Sequence, residues 1–299
     1  MFCIKMTCDD YTFISHSVPL EESKERIVAM VQQELQSYHR HDFKRVQNST
    51  MIDAECRQKI CEWSYRIVDH FRIDREIVLS SWYFIDRFLC NEVKECKPTM
   101  MRLLSMSALQ LASKISGSRE LTMSCMSSLS SNISADVLTK MEILLLRSLK
   151  WKVHPPTAKA VIRELMGLLA IKIDNYEVLK KVSEHAHFFA ELSVFDSELA
   201  SISVVEVAIA SLLNALKLAG KSELSVVGES FFDDCRGMLK TQHVIGDIEF
   251  VQNLLWEVFL ANEESAILRS NLTDTEPEAK RRRQDTRTCS PVSSMQYNP

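Results

Sequence analysis

An all-α fold built from a doubled five-helix unit is the class this sequence predicts, and three observations predict it. Glycine is scarce: six in 299 residues, no two closer than the eight positions between Gly220 and Gly228. A β-rich chain needs many tight turns, and only seven prolines accompany those glycines. Apolar residues instead recur three and four apart along most of the chain, the period of a helix buried on one face. Finally, His154-Pro155-Pro156 separates two runs of five such segments, because consecutive prolines cannot continue a helix.

Residues 1–18 show no period and read as a loose arm. Pro19 then opens a helix whose apolar positions are Ile27, Met30, Val31 and Leu35. Five segments follow: 53–72, 75–91, 99–116, a short serine-rich turn near 121–130, and 134–150. The third and fifth are apolar nearly all round, which predicts burial on most sides. Thr157 can cap the next segment, 157–170, after which 175–195, 199–219, 223–241 and 247–262 complete the second run. Gly220 stands where a C-cap belongs. The repeat is one of layout rather than residue identity. The expected divisions are an arm and helix over 1–45, a first unit over 46–154, a second over 155–262 and a polar, aperiodic, disordered tail over 263–299.

Composition removes several function classes. Glycines this far apart cannot make a dinucleotide fingerprint or a phosphate-cradling loop, which need them two to five apart. A net charge of −4 offers no general case for nucleic-acid binding. Nine cysteines, odd in number and without a CxxC pair, read as thiols of a reducing compartment. No window carries the run of apolar residues that a membrane span or a secretory signal requires. His185 and His187 lie two apart, on opposite sides of a helix, and cannot grip one ion. No cofactor, metal or catalytic residue is expected, and the chain is not expected to be an enzyme.

Four motifs in order then identify a resemblance. They are CRQKICEW, with Arg57 and Trp63; SSWYFIDRFLC, with Asp86-Arg87-Phe88-Leu89; LQLASK, ending at Lys114; and KMEILLLRSLKWKVHPPT, with Glu142. Together they resemble the cyclin box, and the fifth-segment motif is nearest to that of the D-type (G1) group, with A and B types also open. The second half matches more faintly, through FFAELSVFDSEL. The resemblance implies two tandem five-helix cyclin-box folds and a regulatory subunit that binds and activates a cyclin-dependent serine/threonine kinase in cell-cycle control, near G1/S. The alternatives are a cyclin-fold transcription-factor scaffold and a transcription-kinase cyclin.

The same resemblance implies roles for particular residues. Lys114 and Glu142 match the family's kinase-anchoring pair, and Arg57 and Asp86 match its salt bridge between the first two helices. Cys56, Ile60, Trp63, Met101 and Arg102 fall at the positions of its docking groove for substrates or inhibitors. Here the sequence departs from the pattern: Cys56 replaces a methionine, and Lys59 and Arg66 stand where apolar and acidic residues are usual. With Arg102 they predict a groove that repels the family's basic docking peptides, unless the stripe is simply core. In the tail, Lys280-Arg281-Arg282-Arg283 reads as a nuclear-import signal, so nucleus and cytoplasm are the expected locations, and Thr275 and Ser290 precede or neighbour prolines or acids suited to phosphorylation.

Overall fold

The computed structural model describes residues 20–40, 54–92, 97–118, 121–130, 132–219, 222–242 and 245–273. Lys280, Arg281, Arg282, Arg283, Thr275 and Ser290 lie outside those residues. The helices are α1 (Leu20–Ser37), α2 (Ala54–Phe71), α3 (Glu76–Glu92), α4 (Pro98–Ile115), α5 (Met123–Ser128), α6 (Ala135–Ser148), α7 (Ala158–Ala170), α8 (Tyr176–Leu192), α9 (Val204–Leu218), α10 (Ser222–Leu239) and α11 (Ile248–Thr273). Short 3-10 turns at Ser193–Phe195 and Leu199–Ser201 join α8 to α9. No strand occurs among the described residues.

Two cores result. One gathers α2 to α6 around Trp82, Phe84, Leu104, Leu109 and Leu145; the other gathers α7 to α11 around Leu165, Phe189, Ile209 and Phe231. The third helix of each set is its axle: α4 buries everything from Leu104 to Ser113, and α9 buries most of its length. Although α1 precedes the first set in the chain, its Ile27 and Val31 belong to the second core. Gln33 Nε2 also donates to the His154 carbonyl at 3.1 Å, and the Tyr38 hydroxyl accepts from the His154 N–H at 3.1 Å. The proline linker is thereby braced from the side.

Helix ends follow from local chemistry. Thr122, Ser134, Thr157, Asn175 and Ser203 each accept a backbone N–H of the helix they open, a cap worth about 1 kcal/mol. Three helices of the first set close by a shared device, a residue in the left-handed region whose N–H bonds back into the last turn. At Gly117 (φ 83°) this is free of strain, whereas Arg72 (φ 55°) and Lys150 (φ 51°) do it with a side chain, and Trp151 (φ 61°) repeats it. Each non-glycine in that region costs on the order of 1 kcal/mol and persists only where its surroundings hold it.

Two sequence expectations change. The last helix does not stop at 262 but runs to Thr273, consistent with the alanine, glutamate and leucine that continue in that stretch. The second change concerns α6, expected to be buried on most sides. It buries Leu138, Met141 and Leu145 but exposes Val137 (40%), Ile143 (45%) and Leu144 (51%). Its apolar residues are divided between the core and an uncovered face.

Candidate functional site

Lys114 and Glu142 meet at the edge of the buried stripe of α6, beside that uncovered face. Gly117 ends α4: its N–H bonds the Lys114 carbonyl at 3.3 Å, and the Ser118 N–H bonds the Ser113 carbonyl at 3.1 Å. Lys114 is left in the last turn, where a cation opposes the helix dipole. From there Nζ reaches Glu142 Oε1 on α6 at 2.8 Å. The two partners differ sharply in exposure, with the Lys114 side chain 61% exposed and that of Glu142 9%. Glu142 is thus a sunken acid beside exposed Ile143 and Leu144, with Trp151 (70% exposed) just past the helix end. Chemically, the pair keeps capacity in reserve. One lysine N–H and one carboxylate oxygen are engaged, so further donors and an acceptor remain for a partner's main chain.

Arg57 and Asp86 form a forked pair, Nη1 to Oδ1 and Nη2 to Oδ2 both at 2.9 Å. Arg57 Nε donates to the Val194 carbonyl at 2.7 Å, and the guanidinium lies 4.2 Å from the centre of the Trp82 ring. Burial works against its charge, but Asp86 outweighs that and holds its pKa above the ordinary arginine value. One side chain therefore joins α2, α3 and the turn that follows α8.

The groove residues divide. Ile60 (8% exposed) and Met101 (2%) belong to the first core and offer no surface, because Ile60 shares the inward stripe of Ser64 and Ile67. Only Cys56, Trp63 and Arg102 are half-exposed. The basic character expected there is also reduced: Lys59 Nζ meets Glu55 Oε1 at 2.6 Å, and Arg66 Nε turns to the Glu62 carbonyl at 3.2 Å. For Lys59 an intrahelical acid four residues away supplies the compensation, whereas Arg66 is met by a main-chain carbonyl.

Sequence reasoning missed the polar seam between the two sets. Arg75 bridges Asp69 (2.8 Å) and Glu191 (2.6 Å), and Lys159 approaches Glu191 at 3.3 Å. Glu76 takes Arg163 at 2.6 Å and also the Thr157 hydroxyl. Apart from Arg75 and Asp69, six positions from one another, these partners lie far apart in the chain and carry no local signal. Glu34 did carry one, as an acid seven residues from Ile27 on the apolar stripe of α1. It accepts from Ser203 Oγ (2.6 Å) and the Val204 N–H (3.1 Å) and pairs with Arg40 (2.8 Å). Among the described residues no cluster of histidine, cysteine and acid side chains could hold a metal ion.

Comparison with known proteins agrees with this architecture. Residues 25–154 match the family described as "Cyclin, N-terminal domain". G1/S-specific cyclin-D1 of Canis lupus familiaris is 25% identical over 176 residues, 58% of this chain and 57% of that protein. The Homo sapiens cyclin-D1 has the same identity over the same shares. Cyclin-D3-2 of Arabidopsis thaliana is 26% identical over 110 residues, 35% of this chain and 29% of that protein. The match thus spans little more than half the length of the curated relatives. Among solved structures, a viral cyclin from herpesvirus saimiri superposes with a TM-score of 0.54 at 17% identity, covering 80% of this chain and 97% of that one. A chain of the CAK complex from Chaetomium thermophilum bound to ATP-gamma-S gives 0.52 at 15%, covering 85% and 81%. Those two likenesses concern the fold. With the ordered motifs and the family match, residues 25–154 form a cyclin N-terminal domain, and the doubled five-helix architecture shares the cyclin fold beyond it.

Proposed function

We propose that the protein is the regulatory subunit of a cyclin-dependent serine/threonine kinase, acting in cell-cycle control at G1/S and itself without catalytic activity. The observation that carries this reading is the Lys114–Glu142 pair at the edge of the buried stripe of α6, next to its exposed apolar residues. A face of this kind, left open in a helix whose other side is core, marks an interaction surface. Its polar pair keeps donors and an acceptor available for a main chain. On this reading the face receives the kinase helix that carries the glutamate partner of the ATP-binding lysine, and holds it inward. A subunit that binds only the helix-in state raises that state's population by its differential affinity. Near-complete switching, from about 1:99 to 99:1, needs about 5.5 kcal/mol. An apolar face with a charged clamp is suited to supplying that.

The finer parts of the proposal are a modest docking surface at Cys56, Trp63 and Arg102 for substrates or inhibitors, and residence in nucleus and cytoplasm governed by Lys280 to Arg283. No nucleic acid or membrane partner is proposed. The test is affinity purification of the full chain from dividing cells, followed by a serine/threonine kinase assay on the eluate with and without the Lys114→Ala, Glu142→Ala pair. Recovery of a kinase by the wild type and its loss in the double variant supports the reading. Recovery of no kinase overturns it.

A further inference from the structure

Lys172, in the turn after α7, reaches across to α10. Its Nζ donates to Ser230 Oγ at 2.7 Å and pairs with Asp234 Oδ2 at 2.8 Å. Ser230 and Asp234 stand one turn apart on the outer face of α10, whose inner face is the buried Leu224, Phe231, Cys235 and Leu239. A serine within a helix can turn its hydroxyl back to the carbonyl four residues earlier, as Ser105 and Ser211 do to Met101 and Val207. Ser230 makes no such bond among the described residues. Its side chain is exposed, its oxygen is held by an ammonium from beyond its own helix, and its hydroxyl proton is uncommitted.

The bland reading, that Lys172 only ties the end of α7 to α10, needs Asp234 and makes no use of Ser230. The surrounding residues add a second observation. Glu229 precedes Ser230, Asp233 and Asp234 follow at the third and fourth positions, and residues 222–229 hold no lysine or arginine. A kinase that receives this segment needs a basic peptide groove, by charge complementarity. Phe231 stands where a proline-directed enzyme requires proline. Access calls for a local opening of α10, and glycines at 228 and 237 favour one, because glycine weakens a helix interior. Packing explains Gly228: the Leu213 and Leu216 side chains lie 3.6 and 3.7 Å from where its Cβ would stand. Gly237 has nothing within 4 Å, so α10 is weakened there without a steric need.

We propose that Ser230 is a phosphorylation site for an acid-directed serine/threonine kinase, and that Lys172 receives the phosphate. Ser230 Oγ attacks the γ-phosphorus of ATP, the bond from that phosphorus to ADP breaks, and the hydroxyl proton passes to the kinase's base. The phosphate carries about −1.5 to −2 at neutral pH and displaces Asp234 from Lys172. Asp234 is 53% exposed and passes to water. Neither Lys114 nor Glu142 takes part, so the site stands apart from the proposed kinase-binding face.

The test treats the full chain with ATP and a purified acid-directed kinase of the casein-kinase type, and locates phosphate by peptide mass spectrometry. Phosphate is expected at Ser230 and is lost from that peptide in Ser230→Ala. Gly237→Ala, which firms α10, should slow its arrival about fivefold. In the phosphorylated chain, Lys172→Gln should raise the midpoint of the phosphate's phosphorus NMR titration by about half a pH unit, since a neighbouring cation favours the dianion. Should that variant fail to fold, Asp234→Asn should lower the midpoint, because loss of a neighbouring anion also favours the dianion. No phosphate at Ser230, equal labelling by a proline-directed kinase, an unchanged rate in Gly237→Ala, or a midpoint indifferent to both charge changes would each overturn the proposal.

Discussion

Arg57 and Asp86 share two hydrogen bonds of 2.9 Å while Arg57 is 5% exposed, with its third contact on the Val194 carbonyl. Removal of the acid strands a guanidinium that has no route to water. Asp86→Ala should therefore cost about 3–5 kcal/mol and lower the melting temperature by roughly 10 °C. Because Arg57 reaches the turn after α8, the second core should lose stability along with the first. A thermal scan showing an unmoved transition would mean that the pair carries no such burden.

Lys114→Ala leaves Glu142 sunken and unpaired, but the lysine is mostly solvated, so the stability loss should be small. Binding is the sensitive readout. The truncation should weaken the association with the kinase by about 2–5 kcal/mol, measured as faster dissociation in surface-immobilised assays. Glu142→Gln, which keeps shape and one acceptor, should fall between wild type and Lys114→Ala. A dissociation rate unchanged in both would detach this pair from the interface.

Helices and their caps were legible because each depends on neighbours within four residues. Thr157 could be placed as a cap from the proline break alone, and the third helix of each set could be marked as the axle from its lack of a polar face. The open side of α6 was not legible. Val137, Ile143 and Leu144 look the same in a sequence whether a core or a partner covers them, and only packing distinguishes the two. The same ambiguity hid Ile60 and Met101, whose spacing fits either a groove or a core. Lys114 and Glu142 were singled out through motifs, but not that they bond one another, since a separation of 28 positions fixes no distance.

His187 supplies a pH dependence of definite sign. Burial first, then the positive Lys159 and Arg163, push its imidazole down from 6.5 to about 3. The unfolded chain takes up a proton below 6.5, whereas the folded chain does so only near 3. In that window the folded state binds fewer protons, so stability falls as pH falls, by about 1.4 kcal/mol per unit. Between pH 7 and about pH 5 the histidine alone should remove about 2 kcal/mol. Urea titrations at both pH values should show His187→Gln losing less than the wild type by that amount. Identical losses would mean that the ring is protonated in the fold.

Glu34 predicts how the two halves share stability. Its carboxylate caps the start of α9 through Ser203 and Val204, in addition to the capping box that Ser203 makes with Glu206. An acid at a helix N-terminus is favoured by the dipole, and here it comes from a different helix, 169 residues away in the chain. Glu34→Ala removes that anion and leaves the Val204 N–H, which is buried, without its acceptor. A loss of about 2–3 kcal/mol follows from the unmade hydrogen bonds. Since Ile27 and Val31 also pack into the second core, amide exchange should accelerate first in α1 and the opening turn of α9. The amides of α4, in the other core, should keep their protection until global unfolding. Uniform acceleration across both cores would instead show that the chain opens as one cooperative unit and that α1 is no separate strut.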